Sequence, residues 1–175
     1  MSRQATVSHP LCARLYAKQA EVAESRGVAD QRRRMLAGLV GEIVEVAVPV
    51  QVGNAVAEDL PLADASVDAA VASLVLCSVR NPAQAIAELH RVVRPGGEIR
   101  FNEHIASERP LGRALQRTAD ATIWPTVSGG CHLGRDTRTA LEHGGFRIER
   151  VEQFVFSVSA LDPPKTHILG TARRV

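Results

Sequence analysis

Residues 67–97 read VDAAVASLVLCSVRNPAQAIAELHRVVRPGG, and their order decides the fold. Val67 to Cys77 is strongly apolar, with Val67, Val71, Leu74, Val75 and Leu76, which predicts a buried strand. Asn81-Pro82 then opens a helix, Asn81 as cap and Pro82 at the first helical position. Ile86, Leu89 and Val93 repeat on one face of that helix. Arg94-Pro95-Gly96-Gly97 stops it and turns the chain into a strand over Glu98 to His104. The glycines there serve backbone conformation and make no phosphate loop.

The same alternation extends outward. Upstream, Ile43 to Val52 is β-branched and nearly all apolar, with Pro49 in its middle marking an edge strand or a break. Asn54 to Ser66 is a loop carrying Glu58, Asp59, Pro61 and Asp64. Pro10 to Leu39 reads as mostly helical, broken near Gly27-Val28. Downstream come helices over Leu111 to Ile123 and Asp136 to His143, then strands over Phe146 to Phe156 and His167 to Arg173. Asp162-Pro163-Pro164 connects those last two. The expected architecture is an α/β sheet, mostly parallel, with helices on both faces and an antiparallel C-terminal strand pair. One domain over 1–175 accounts for the chain, with a helical region at 1–41 and the sheet and helices at 42–175.

Composition narrows the function classes. Of 175 residues 45% are hydrophobic and only 3% aromatic, so the core must be built from Ala, Val, Leu and Ile. A net charge of +2 gives no argument for nucleic acid, and Arg32-Arg33-Arg34 reads as a solvated helix face. No apolar run is long enough for a bilayer, and Met1 to Leu11 has no signal-peptide core, so the expectation is a cytoplasmic protein. The three cysteines, Cys12, Cys77 and Cys131, form no close pair and are expected as reduced thiols. The six histidines show no metal-ligand spacing, so no metal is expected. No G-x-S-x-G elbow, P-loop or nucleophile triad occurs.

These motifs together carry a resemblance. An acidic loop with Leu60-Pro61-Leu62, the Asp64-Ala-Ser-Val-Asp68 strand start, LVLCSV, a helix and then Arg-Pro-Gly-Gly resemble class I S-adenosylmethionine-dependent methyltransferases of the small-molecule type. LVLCSV with the later Arg-Pro-Gly-Gly, Glu103-His104 and Gly130-Cys131-x-Leu133 is most similar to the thiol methyltransferase group. The likeness runs from about Pro10 to Arg173. It implies a Rossmann-like sheet that binds S-adenosylmethionine at the carboxyl ends of its strands and methylates a small-molecule acceptor.

The resemblance also implies site positions. Ala57 and Glu58 fall in the loop that the family uses against the adenine, although Glu58 reads equally well as a solvated loop acid. Ser73, Leu74 and Leu76 border the methionine part of the cofactor. Cys77 reads as a core thiol. His104, at a strand end, is the candidate base toward a thiol or hydroxyl, with a purely structural histidine as the other reading. Trp124, Cys131 and His132 lie in a segment that covers the substrate pocket, and Trp124 reads equally as packing. Asn102 stands where the family often has an aromatic or apolar residue.

One departure is large. Family members follow the first strand with a glycine-rich loop, a helix and a second strand ending in an acid. Here Val46 runs straight into Ala47-Val48-Pro49-Val50-Gln51-Val52. A parallel crossover needs a dozen or more residues, and the ribose acid follows its loop by about 20, so on the order of 30 or more residues are absent. The flanking segments should merge into one strand and leave an exposed sheet edge, open to self-association. Three readings stay open: an active methyltransferase, a methyltransferase-like binding or scaffold protein without catalysis, and an internally deleted non-functional form.

Overall fold

The computed structural model describes residues 29–47, 56–157 and 164–175. The expected helix from Pro10 to Val28, the strand continuation over Val48 to Val52 and the Asp162-Pro163 turn lie outside the described residues. The described residues form one five-stranded sheet in the order β1-β2-β3-β5-β4. Strands β1 (Ile43–Ala47), β2 (Val67–Ser73) and β3 (Val93–His104) are parallel neighbours. Strands β4 (Phe146–Phe156) and β5 (Lys165–Arg174) pair antiparallel, and β5 is antiparallel to β3. This is the mostly parallel sheet with an antiparallel ending that the sequence predicts. β1 lies at an edge among the described strands.

Side-chain alternation along β2 divides the core. Ala70 and Ala72 pack with Ile86, Leu89, Ile99 and Phe101 on one face, where helix α2 (Pro82–Val92) lies. Val71 packs with Leu169 and Met35 on the other, under helix α1 (Ala29–Leu36). Small alanines let α2 approach the sheet closely, as a core poor in aromatics requires. Asn81 caps α2 as expected, its Oδ1 accepting from the Gln84 N–H at 3.2 Å. Arg32 pairs with Glu45 at 2.9 Å, Arg33 with Asp30 at 3.2 Å, and Arg34 with Glu152, so the arginine run is a solvated, ion-paired face.

Three boundaries differ from the sequence reading. β2 stops at Ser73 rather than Cys77, because Leu74 takes a left-handed φ of 56° and residues 75–79 coil into a turn. β3 begins at Val93, directly after α2, and its pairing with β2 slips between Val67 and Ala69. Residues 94–97 form that irregularity, where a Cβ on Gly97 would sit 2.7 Å from the Asp68 carbonyl oxygen. The helix expected over Leu111 to Ile123 is α3 (Pro110–Asp120), which stops three residues early, and a separate short helix α4 (Trp124–Val127) follows it. Pro125 has no N–H to continue the α3 ladder. Helix α5 (Thr137–His143) follows, capped by Asp136, whose side chain accepts from the Thr139 N–H.

Candidate active site

The parallel strands present their carboxyl ends at one rim, where Ser73 pairs in register with Asn102 and His104 closes β3. The rim is organised from below by Glu103. Its side chain is fully buried, and its oxygens accept the N–H groups of Val75, Leu76 and Cys77, each at 3.0 Å. These three donors are what the left-handed Leu74 turns inward. Burial pushes the Glu103 carboxyl well above the ordinary carboxylate range, and the Cys77 sulphur adds to the push, while the three N–H bonds pull the other way.

The Glu103 turn sets Cys77 against two partners. Cys77 Sγ lies 3.5 Å from His104 Nδ1 and 3.8 Å from Cys131 Sγ, and His104 Nδ1 lies 3.1 Å from Cys131 Sγ. Cys77 is wholly buried, Cys131 nearly so, and His104 half-buried. Both thiols are free, as the sequence predicts for them. The contact with Cys131 and the burial push the Cys77 thiol up to about 12, and the same contact makes Cys131 the more acidic of the two. The His104 ring stands edge-on to that of His167, centroids 4.3 Å apart. His167 is 4% exposed, and burial, followed by the charge of His104, lowers it to about 3, so it is neutral at pH 7.

The segment 128–135 is stitched onto this turn. The His132 N–H donates to the Cys77 carbonyl at 2.7 Å, and Arg135 donates to the carbonyls of Leu76 and Val79 at 2.6 and 2.7 Å. Gly130 holds a φ of 88° with its Cα face 2.8 Å, at a would-be Cβ, from the Ser78 carbonyl, so only glycine fits there. Asp120, at the end of α3, accepts from the N–H groups of Leu133 and Gly134 at 2.7 and 2.8 Å. Trp124 packs with Cys77, Cys131 and Leu133, and the Lys165 ammonium sits 5.3 Å from its ring centroid.

The structure thus brings Ser73, Leu74, His104, Trp124, Cys131 and His132 to one rim. Leu76 turns its side chain into the main core instead and joins the site through its backbone. Ala57 is buried in that core too. Glu58 ties its loop to the start of α2, accepting from the N–H groups of Arg80 and Asn81 at 3.0 and 3.2 Å. Sequence reasoning missed Glu103 as a participant. It also missed the pairing of Cys77 with Cys131, which no spacing rule shows. A hollow of about 400 Å³ around Asp68, Arg94 and Arg173 lies at the opposite end of β2 and β3.

Comparison with known proteins places this architecture. Residues 13–101 match the family model described as a methyltransferase domain. The chain belongs to the methyltransferase domain family. Methyltransferases of this kind use S-adenosylmethionine as cofactor. Among curated relatives, mouse thiol S-methyltransferase TMT1B is 41% identical over 111 residues, covering 63% of this chain and 45% of that protein. Human thiol S-methyltransferase TMT1A is 35% identical over 111 residues, with the same coverage of 63% and 45%. The chain spans less than half the length of these relatives. Among solved structures, a Thermotoga maritima S-adenosylmethionine-dependent methyltransferase, a possible histamine N-methyltransferase, superposes with a TM-score of 0.69 at 18% identity, covering 93% of this chain and 96% of that one. That likeness shows the methyltransferase fold. Among the described residues no helix is long and apolar enough to cross a membrane.

Proposed function

We propose that this methyltransferase transfers a methyl group from S-adenosylmethionine to a small thiol at the rim around Ser73, Leu74 and His104. The observation that carries the reading is the half-buried His104 imidazole set between two sulphurs where the parallel strands end. The names of the curated thiol S-methyltransferases supply the acceptor class.

The rim suits one half of the cofactor. Asn102 Oδ1 is buried and has no hydrogen-bond partner, while its Nδ2 donates to Gln31 Oε1 at 3.1 Å. An orphaned acceptor of this kind, beside Ser73, matches the ammonium of the methionine end. The ribose half has no such support: Ala47 to Val52 contain no glycine and no acid. When bound, the cofactor supplies an electrophilic methyl on a sulfonium. The chain's own residues hold the acceptor in line, exclude water from the rim, and take the acceptor's S–H proton on His104. The free cysteines fit a reducing, cytoplasmic setting.

The short junction after β1 favours a second reading, in which the rim binds the acceptor without methyl transfer. Incubation with S-adenosylmethionine and a low-mass alkyl thiol separates the two. Equal amounts of methyl thioether and S-adenosylhomocysteine, detected by mass spectrometry, support transfer. Thiol binding with neither product rejects it in favour of the second reading.

A further inference from the structure

We propose that Cys77, His104 and Cys131 form a binding site for a thiophilic metal ion, Zn²⁺ in the first instance. The site shares His104 with the proposed acceptor rim, so His104 serves as a ligand in the metal-loaded protein and as the proton acceptor only in the metal-free one, and the inference does not depend on methyl transfer. Three donors of the right softness converge: two sulphurs and one imidazole nitrogen. Their mutual distances match a coordination sphere. A tetrahedral Zn²⁺, with Zn–S about 2.3 Å and Zn–N about 2.0 Å, sets its sulphurs about 3.8 Å apart and each sulphur about 3.5 Å from nitrogen. The protein has 3.8 Å between the sulphurs, and 3.5 and 3.1 Å from sulphur to Nδ1. Only the last edge must open, by a few tenths of an ångström.

The ligands are also held, as a metal site requires. Cys77 rides on the turn that Glu103 fixes through three N–H bonds. Cys131 is anchored by its N–H to the Ser128 carbonyl at 3.2 Å and by packing against Trp124 and Leu133. His104 is backed by the buried His167 ring. Two thiolates and one divalent cation sum to zero charge, so the buried cluster carries no net charge when loaded. Three protein ligands leave a fourth position for water or an exogenous thiolate, the arrangement of a catalytic rather than a closed structural site. The ligands lie 27 and 27 residues apart along the chain, which hides them from any sequence spacing rule.

The full chain, purified under reductant and dialysed against Zn²⁺, tests this without any methyl donor. We expect one zinc per chain by elemental analysis, and Co²⁺ substitution to give sulphur-to-cobalt charge-transfer absorption. C77S and C131S should each weaken zinc binding by more than the roughly 10–100-fold typical of losing an outer-sphere partner. C12S, which removes the remaining cysteine, should leave the stoichiometry unchanged. Should the variants not fold, alkylation of the wild type decides instead, with zinc expected to protect two of three thiols. Zinc well below one per chain, no charge-transfer band, unprotected thiols, or unchanged affinity in a folded C77S variant would overturn the site. Absence of methyl transfer in the metal-free protein, with zinc binding intact, would count against the proposed function alone.

Discussion

Glu103 Oε2 accepts the backbone N–H of Cys77 at 3.0 Å, so a carboxylate from β3 fixes a thiol carried by the turn after β2. That bond, with those to Val75 and Leu76, ends β2 early and aims Cys77 at His104 and Cys131. Removing the acceptor leaves three buried donors without partners. E103A should therefore destabilise the fold by about 3 kcal/mol or more, read as a lower urea midpoint with an unchanged slope. A variant as stable as the wild type would show that the turn holds without the carboxylate.

His104 is the proposed proton acceptor for the thiol. H104A should lower methyl transfer by about 10²–10⁴-fold, and the loss should shrink as pH approaches the thiol's own pKa. Its half-buried position predicts only a small change in melting temperature. A uniform loss at every pH would assign His104 a structural place rather than a proton-transfer one.

Away from the site, Arg91 beside Glu88, at 2.7 Å, holds that carboxyl down at about 2. A carboxyl depressed in the folded state stabilises the fold above its unfolded value, about 4.5. The contribution falls as pH drops through about 2. E88Q should cost about 1–2 kcal/mol at pH 7, the partial exposure of the pair being allowed for, and much less near pH 2. Thermal melts of both proteins across that range check the sign, and an equal cost at both pH values would refute the ion pair as the cause.

β1 ends the sheet among the described strands, and Ile43 is 41% exposed there. A sheet edge left unpaired among the described residues templates pairing with a second copy. Sedimentation velocity should show self-association that rises with concentration and weakens in I43K. A monomer at all concentrations would remove the edge as an interface.

The β2-α2-β3 unit was legible because its signals are local. Asn81-Pro82 states a helix start, and Ile86 and Leu89 state its buried face, whereas Gly96-Gly97 fall inside β3 and the helix already ends at Val92. The site was only half legible. His104, Cys131 and Trp124 stand out by residue type at the ends of elements, and the resemblance pointed to them. Glu103 did not stand out as a participant, because its partners are backbone N–H groups that every residue carries. Leu74 was pointed to by the resemblance, but its left-handed backbone was not legible, since leucine has no propensity for it. The Cys77, His104 and Cys131 contacts come from three separate elements, so only the folded sheet brings them together.

The proposed methyl transfer requires this chain to hold its cofactor although the segment after β1 lacks the glycine loop and ribose acid. Calorimetric titration of S-adenosylhomocysteine into the purified chain tests it most directly. The account predicts saturable binding with a Kd on the order of 0.1 mM, about −5.5 kcal/mol, and a matching rise in melting temperature. No heat and no stabilisation at millimolar ligand would contradict it.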